Sequence, residues 1–311
     1  MPTLKKEVKL SGRGIHSGRS VNICVRPSNT RGIFFNRTDV NGASPIAARF
    51  DNVGDTKMRN TTIGDVRGAH VQTIEHLMAA LFIVGVDSAI IDIDDKETPI
   101  LDGSASQFID AFHAAGVTDG NMKKIIVRRP VIARVRDVRR TLPLLLRIQL
   151  FVMDLLHGRR SDGFVKLSPN DGAGLRIRAT LSYKEPVIGT QTYEYFFDVV
   201  TRDGGTFVRD IARARTFGKY SEWEYLKAHG MGRGADATNV IALNDAGDGT
   251  LNDLVWPDEF VRHKIIDAVG DMFTSGGIII GDMESYKGSH AMNNIVLKKL
   301  FSDPRNYDIV E

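Results

Sequence analysis

QTIEHLMAALFIVGVDSAIIDID, residues 72–94, holds the two periodicities that decide the fold. In its first half Ile74, Leu77, Met78, Leu81 and Phe82 recur at spacings of three and four, which predicts an amphipathic helix. Gly85 is placed to end that helix, and SAIIDID beyond it reads as a buried strand. LDGSASQFIDAF, residues 101–112, predicts a further helix with Asp102 or Ser104 at its start. The same succession returns downstream. Glu259 to Phe273 reads as a helix with Phe260, Ile265, Ile266, Val269 and Met272 on its apolar side, followed by Gly276–Gly277 and the apolar run IIIGDM. Helix, glycine and strand in one order suggest two related α+β halves. Upstream, Val21–Val25 and Ile33–Phe35 are strand-like, and the basic, proline-containing KKIIVRRPV at residues 123–131 is the predicted junction. The expected units are 1–125 and 126–311.

Composition narrows the chemistry. A chain of 311 residues, 42% hydrophobic and 25% charged, is long enough for two domains and needs no metal or disulfide staple, since chains of this size bury roughly 75% of their unfolded surface. A metal here would therefore serve a reaction rather than the fold. Lys and Arg number 41 against 38 acids, a net +3, which argues against a dedicated nucleic-acid binder. The single cysteine, Cys24, excludes internal disulfides and multi-cysteine metal sites, so histidines and carboxylates must hold any transition metal. MPTLKKEVKLSGRG lacks the apolar core of a secretory signal, and Leu142–Leu156 is too short and too charged for a bilayer span of about 20 residues. The cytoplasm is the expected compartment.

Three clusters could carry chemistry. In RHKIIDAVGD, residues 262–271, His263 and Asp267 are four apart and Asp271 four further, so a helix puts all three on one stripe. That spacing suits Zn²⁺ or Fe²⁺, but two ligands do not make a site, and taken alone the pair reads first as a surface His–Asp ion pair. His76, among Ile74, Leu77 and Ala79, reads as a core histidine or as a third ligand, and the neighbouring Glu75 is the acid that metal-assisted hydrolysis requires. In SYKGSHAMNN, Lys287 and His290 are expected on a turn, His290 as a general acid or as a solvated loop residue. Thr216 in ARTFG is either a reactive-site hydroxyl or a cap at a helix end.

Together, GIHSG (14–18), TIEHLMAAL (73–81), LDGSA (101–105), RARTFG (213–218), FVRHKIIDAVGD (260–271) and SHAMNN (289–294) make the chain resemble the bacterial UDP-3-O-acyl-N-acetylglucosamine deacetylases of lipid A biosynthesis. The resemblance spans nearly the whole chain. It implies an α+β fold of two similar domains, each a β-sheet with paired helices, with the active site between them. It further implies a metal, Zn²⁺ or Fe²⁺, on His76, His263 and Asp267, with Glu75 as general base. His290 would be the second catalytic imidazole and Asp271 its carboxylate partner. Thr216 would stabilise the oxyanion, Lys264 would stand beside the reacting group, and Lys287 would hold the anionic nucleotide part. The implied partner is a UDP-linked acylated amino sugar, bound by a monomer, with no nucleic acid. A catalytically inactive nucleotide- or RNA-binding module of the same fold is the competing reading. It would be expected to lack part of the set Glu75, His76, His263, Asp267 and His290, all of which are present. One departure stands out: an apolar insertion about 137–162, expected to be poorly packed or to give peripheral contact with lipid.

Overall fold

The computed structural model describes residues 1–55, 60–144, 147, 162–172, 174–199 and 204–311. The first half opens with four strands, β1 (Val8–Arg13), β2 (Ser20–Pro27), β3 (Gly32–Arg37) and β4 (Ile46–Ala47). Burial alternates along β2: Val21, Ile23 and Val25 point into the core, and Asn22, Cys24 and Arg26 point away from it. A small antiparallel sheet of β5 (Val53–Asp55), β6 (Thr62–Gly64) and β7 (His70–Val71) leads to helix α1 (Glu75–Val84), strand β8 (Ser88–Ile93) and helix α2 (Ser106–Ala115). The main sheet runs β1-β2-β8-β3-β4, antiparallel throughout except for the parallel β8–β3 pair.

The second half begins with β9 (Lys124–Val127), β10 (Val131–Arg134) and the short helix α3 (Val135–Arg140). Strands β11 (Phe164–Ser168), β12 (Gly174–Ser182) and β13 (Thr190–Asp198) follow, then helices α4 (Gly204–Asp210) and α5 (Tyr220–Ala228) around the parallel pair β14 (Phe217–Lys219) and β15 (Ile241–Leu243). It closes with α6 (Glu259–Phe273), β16 (Ile278–Tyr286), α7 (His290–Phe301) and β17 (Tyr307–Val310). Its five-strand path runs β10-β11-β16-β12-β13, again with one parallel pair, β16–β12; off this path β9 pairs in parallel with the start of β16, and β17 pairs antiparallel with β9.

The two strand orders are one pattern. Numbered within each half, both read first, second, fifth, third, fourth, with the parallel pair between third and fifth. In both, one helix precedes the fifth strand and another follows it, α1 and α2 in the first half, α6 and α7 in the second. The helix–glycine–strand echo in the sequence thus corresponds to the last helix–strand–helix unit of each half.

Burial exceeds what amphipathic spacing predicts. Helix α1 is buried from Glu75 to Ile83, because α6 and α2 pack on it and cover the side that an outer helix would show to water. Gly85 closes α1 in the left-handed conformation, its N–H meeting the carbonyls of Leu81 and Phe82. At the crossing of α1 and α6, a Cβ on Gly270 would lie 1.9 Å from the Glu75 carbonyl oxygen, so only glycine lets the helices approach this closely. One core cluster runs through both halves, and the Phe82 ring of α1 packs at a tilt against Phe197 of β13 at 4.6 Å and edge to face against Phe273 of α6 at 5.5 Å.

The start of the predicted insertion is anchored. Asp137 in α3 accepts the Arg134 N–H at 2.9 Å and pairs with Lys299 of α7 at 2.7 Å. Its apolar part lies outside the described residues apart from Leu142–Leu144 and Arg147, and so does the expectation about its packing or lipid contact. No helix of the described residues is long and apolar enough to cross a membrane.

Candidate active site

The site forms where α1 and α6 cross. Helix α6 presents His263, Asp267 and Asp271 on one stripe, as their four-residue spacing predicts, and all three are buried. Helix α1 supplies Glu75 and His76 in its first turn. Entry into that turn is unusual, since Thr73 has a left-handed φ of 60°, rare for a β-branched residue, and the helix starts at Glu75 rather than Gln72. The surroundings hold it there. Thr98 donates its hydroxyl to the Thr73 carbonyl, Asn60 donates to the Thr73 hydroxyl at 3.0 Å, and that hydroxyl reaches Glu97 at 3.3 Å. The Glu97 carboxylate also accepts the main-chain N–H groups of His16 and Ser17, both at 2.8 Å, which ties the GIHSG turn to the same framework.

His76, His263 and Asp267 converge. Nε2 of His76 lies 3.6 Å and Nε2 of His263 3.5 Å from Oδ1 of Asp267, with the two rings edge to face at 5.0 Å. One donor atom from each falls within 4.8 Å of the others, and this is the one such group found among the described residues. The chemistry of the set fits a divalent transition ion. Nδ1 of His263 lies 3.0 Å from the Ala214 carbonyl, which can only accept, so the proton sits on Nδ1 and the Nε2 lone pair faces Asp267. Burial pushes the His263 pKa down to about 3, more than the Asp267 charge raises it, and a neutral imidazole is what a metal requires. Burial acts against the Asp267 charge, but Lys264, whose Nζ is 2.6 Å from Oδ2, together with the histidines holds its pKa well below the usual range. Lys264 in turn stays charged: burial lowers its pKa, and the Asp267 carboxylate raises it by more.

A second group stands against the first. His290 Nδ1 is 2.7 Å from Asp271 Oδ2, and its Nε2 is 3.9 Å from Asp267 Oδ2. Burial works against protonation of His290, yet the Asp271 carboxylate outweighs it and the pKa rises to about 9. His290 is the first residue of α7, not a turn residue as expected, because Ser289 caps the helix by accepting the Met292 N–H. Glu75 is 3% exposed, and burial raises its pKa.

Glu75, His76, His263, Lys264, Asp267 and His290 line a cavity of about 600 Å³, which Thr216 also borders, with Asp271 behind His290. Thr216 lies six residues beyond the end of α4 and leads into β14, so the helix-cap reading does not hold. Ile188, Phe217, Trp223 and Leu226 supply apolar wall to the same cavity. Lys287 stands apart from this lining. Its backbone has φ 48°, and its Nζ reaches Asp162 at 3.0 Å.

Two contributors lay beyond the sequence reading. Thr61, just before β6, donates its main-chain N–H to Glu75 and its hydroxyl to Asp271, and Asn293 donates to Asp271 Oδ2 at 2.8 Å. Asn293 stands three residues from His290 on α7, a spacing that could have pointed to it, whereas no helical stripe contains Thr61. A buried acid able to take a proton, a buried imidazole able to give one and a two-imidazole, one-carboxylate donor set share one cavity, which suits metal-assisted hydrolysis.

The family model described as "LpxC: UDP-3-O-acyl N-acetylglycosamine deacetylase" matches residues 1–302. A protein named UDP-3-O-acyl-N-acetylglucosamine deacetylase from Neisseria meningitidis serogroup A is 34% identical over 99% of this chain and 92% of its own length. Proteins of the same name from Histophilus somni and Haemophilus influenzae show the same identity and coverage.

Proposed function

Because the chain belongs to the LpxC family of UDP-3-O-acyl N-acetylglycosamine deacetylases, we propose that it removes the N-acetyl group of UDP-3-O-acyl-N-acetylglucosamine, the committed step of lipid A biosynthesis. The observation that supports this reading is the meeting of Glu75, the His76–His263–Asp267 set and His290, backed by Asp271, around one cavity. His76, His263 and Asp267 would hold the ion, Zn²⁺ or Fe²⁺, since their donors accept either. When bound, such an ion supplies Lewis acidity to a carbonyl oxygen and to a water.

The chain's own residues do the rest. Glu75 accepts the proton of the attacking water; its Oε2 is held by the Thr61 N–H at 3.0 Å. His290, kept protonated by Asp271, faces the site with Nε2 and delivers a proton to the departing amine. The Thr216 hydroxyl donates to the developing oxyanion, and Lys264 adds positive charge beside it. The apolar wall of the cavity suits an acyl chain, and Lys287 is assigned to the nucleotide's phosphates, for which it would exchange its Asp162 partner. The units 1–125 and 126–311 are proposed as two domains, each contributing one crossing helix, with β9, which starts at Lys124, as the seam.

The test is release of acetate from the UDP-sugar by the purified, metal-loaded chain, with the metal content measured in parallel. Turnover that disappears with a chelator and returns with Zn²⁺ or Fe²⁺ supports the reading. Tight binding of the nucleotide sugar without any acetate release would instead favour the inactive binding module.

A further inference from the structure

We propose that Thr61 is a positioning residue that fixes the base Glu75 and the acid His290 relative to one another across the two halves of the molecule; this rests on the deacetylase reading above. Thr61 is 3% exposed and stands just before β6, the central strand of the small sheet in the first half. From there it reaches in two directions. Its N–H donates to Glu75 Oε2 at 3.0 Å, and its carbonyl accepts the Ile74 N–H at 3.4 Å, which braces the entry to α1. Its hydroxyl donates to Asp271 Oδ1 at 2.5 Å, and the same oxygen lies 3.3 Å from His290 Nδ1.

The geometry explains why a hydroxyl is needed. Asp271 engages His290 Nδ1 and Asn293 Nδ2 through Oδ2, while Thr61 engages Oδ1. With a donor on each oxygen the carboxylate plane cannot turn, and the plane of the carboxylate sets the line along which the His290 ring points its Nε2. Glu75 sits in the first half, and Asp271 and His290 sit in the second. Thr61 is the residue that bonds to both carboxylates, one through its main chain and one through its side chain. It acts on the reaction only through those groups and does not replace either of them.

Side-chain substitution separates the two arms. Thr61→Val keeps the β-branched shape and the N–H to Glu75 while removing the donor to Asp271, and Thr61→Ser keeps both. Thr61→Val is expected to lower kcat by about 10- to 100-fold, the range typical for partners that orient a reacting imidazole, with KM changed by no more than about two-fold and metal content unchanged. Thr61→Ser is expected to restore kcat to within about three-fold. In metal-free protein carrying ¹⁵N-histidine, the His290 Nδ1–H resonance should move or broaden in Thr61→Val and stay in place in Thr61→Ser. A Thr61→Val enzyme with unchanged kcat, a loss carried wholly by KM, or equal damage in both variants alongside equally lowered melting temperatures overturns the proposal. If the unaltered chain itself releases no acetate, the deacetylase reading fails. The His290 resonance then still decides the role of Thr61, because an unchanged signal in Thr61→Val overturns it.

Discussion

His263 and His290 are the same residue type, both buried, and lie on either side of one carboxylate, yet they are held in opposite protonation states. Nδ1 of His263 meets a neutral carbonyl, Ala214, and desolvation drives its pKa to about 3. Nδ1 of His290 meets the Asp271 carboxylate, and its pKa rises to about 9. Burial penalises the charged form in both cases, and the Asp271 charge beside Nδ1 of His290, which His263 lacks, favours the neutral form of one imidazole and the charged form of the other.

The largest effect is expected from His263→Ala. Without one imidazole the donor set keeps only two members, so the ion should be lost on dialysis and turnover should fall by at least about 10³-fold. Full metal occupancy with full activity in this variant would remove His263 from the donor set. Glu75→Gln should retain the ion and lose about 10²- to 10⁴-fold in kcat, because the amide cannot accept the water's proton. Metal analysis beside steady-state kinetics separates the two cases.

Asp271→Asn tests the contrast itself, since it gives His290 a neutral partner like that of His263. The alkaline limb of kcat, set by loss of the His290 proton near pH 9, should move towards lower pH, and kcat at neutral pH should drop by about 10- to 100-fold. A limb that stays in place would show that Asp271 does not set the charge of His290.

The two histidines also impose opposite slopes on the stability of the metal-free protein. His290 is raised from its ordinary 6.5 to about 9, so its stabilisation is complete below pH 6.5 and is lost as pH climbs towards 9. His263 is lowered from 6.5 to about 3, so the unfolded chain binds the extra proton between those values, and stability falls as pH drops from 6.5 towards 3. Urea midpoints should therefore peak near pH 6.5, and Asp271→Asn should flatten the alkaline side. The smallest effect belongs to Asp137→Ala, far from the contrast. It removes the first-turn acceptor of α3 and the pair with Lys299, for about 1 kcal/mol of stability and no change in kcat.

How much of this was legible in the sequence differs by residue. The stripe His263, Asp267, Asp271 could be read from spacing, because an α-helix fixes which residues share a face. The halves could be read from a repeated helix–glycine–strand order, although the identical strand order 1-2-5-3-4 could not, since pairing joins segments such as β12 and β16 that stand about a hundred residues apart. His290 was expected on a turn and instead starts α7, because the Ser289 cap is a single hydrogen bond that no periodicity announces. Thr61 was missed for the same kind of reason. Its partners Asp271 and His290 are 210 and 229 positions away in the chain.

By itself, the sequence determined which residues can act: a helix whose spacing lines up an imidazole and two carboxylates, an acid beside a second imidazole, and one cysteine that leaves metal binding to histidine and carboxylate. The family also follows from the chain alone, since its motifs are local. Which of these residues meet, and in what surroundings, depends on the folded chain. The crossing of α1 and α6 at Gly270 puts His76 within reach of Asp267, and the partner each imidazole meets sets its proton. The physical reason is range. Helical periodicity acts over a few residues, whereas desolvation and charge act through space, among groups that only the folded chain brings together.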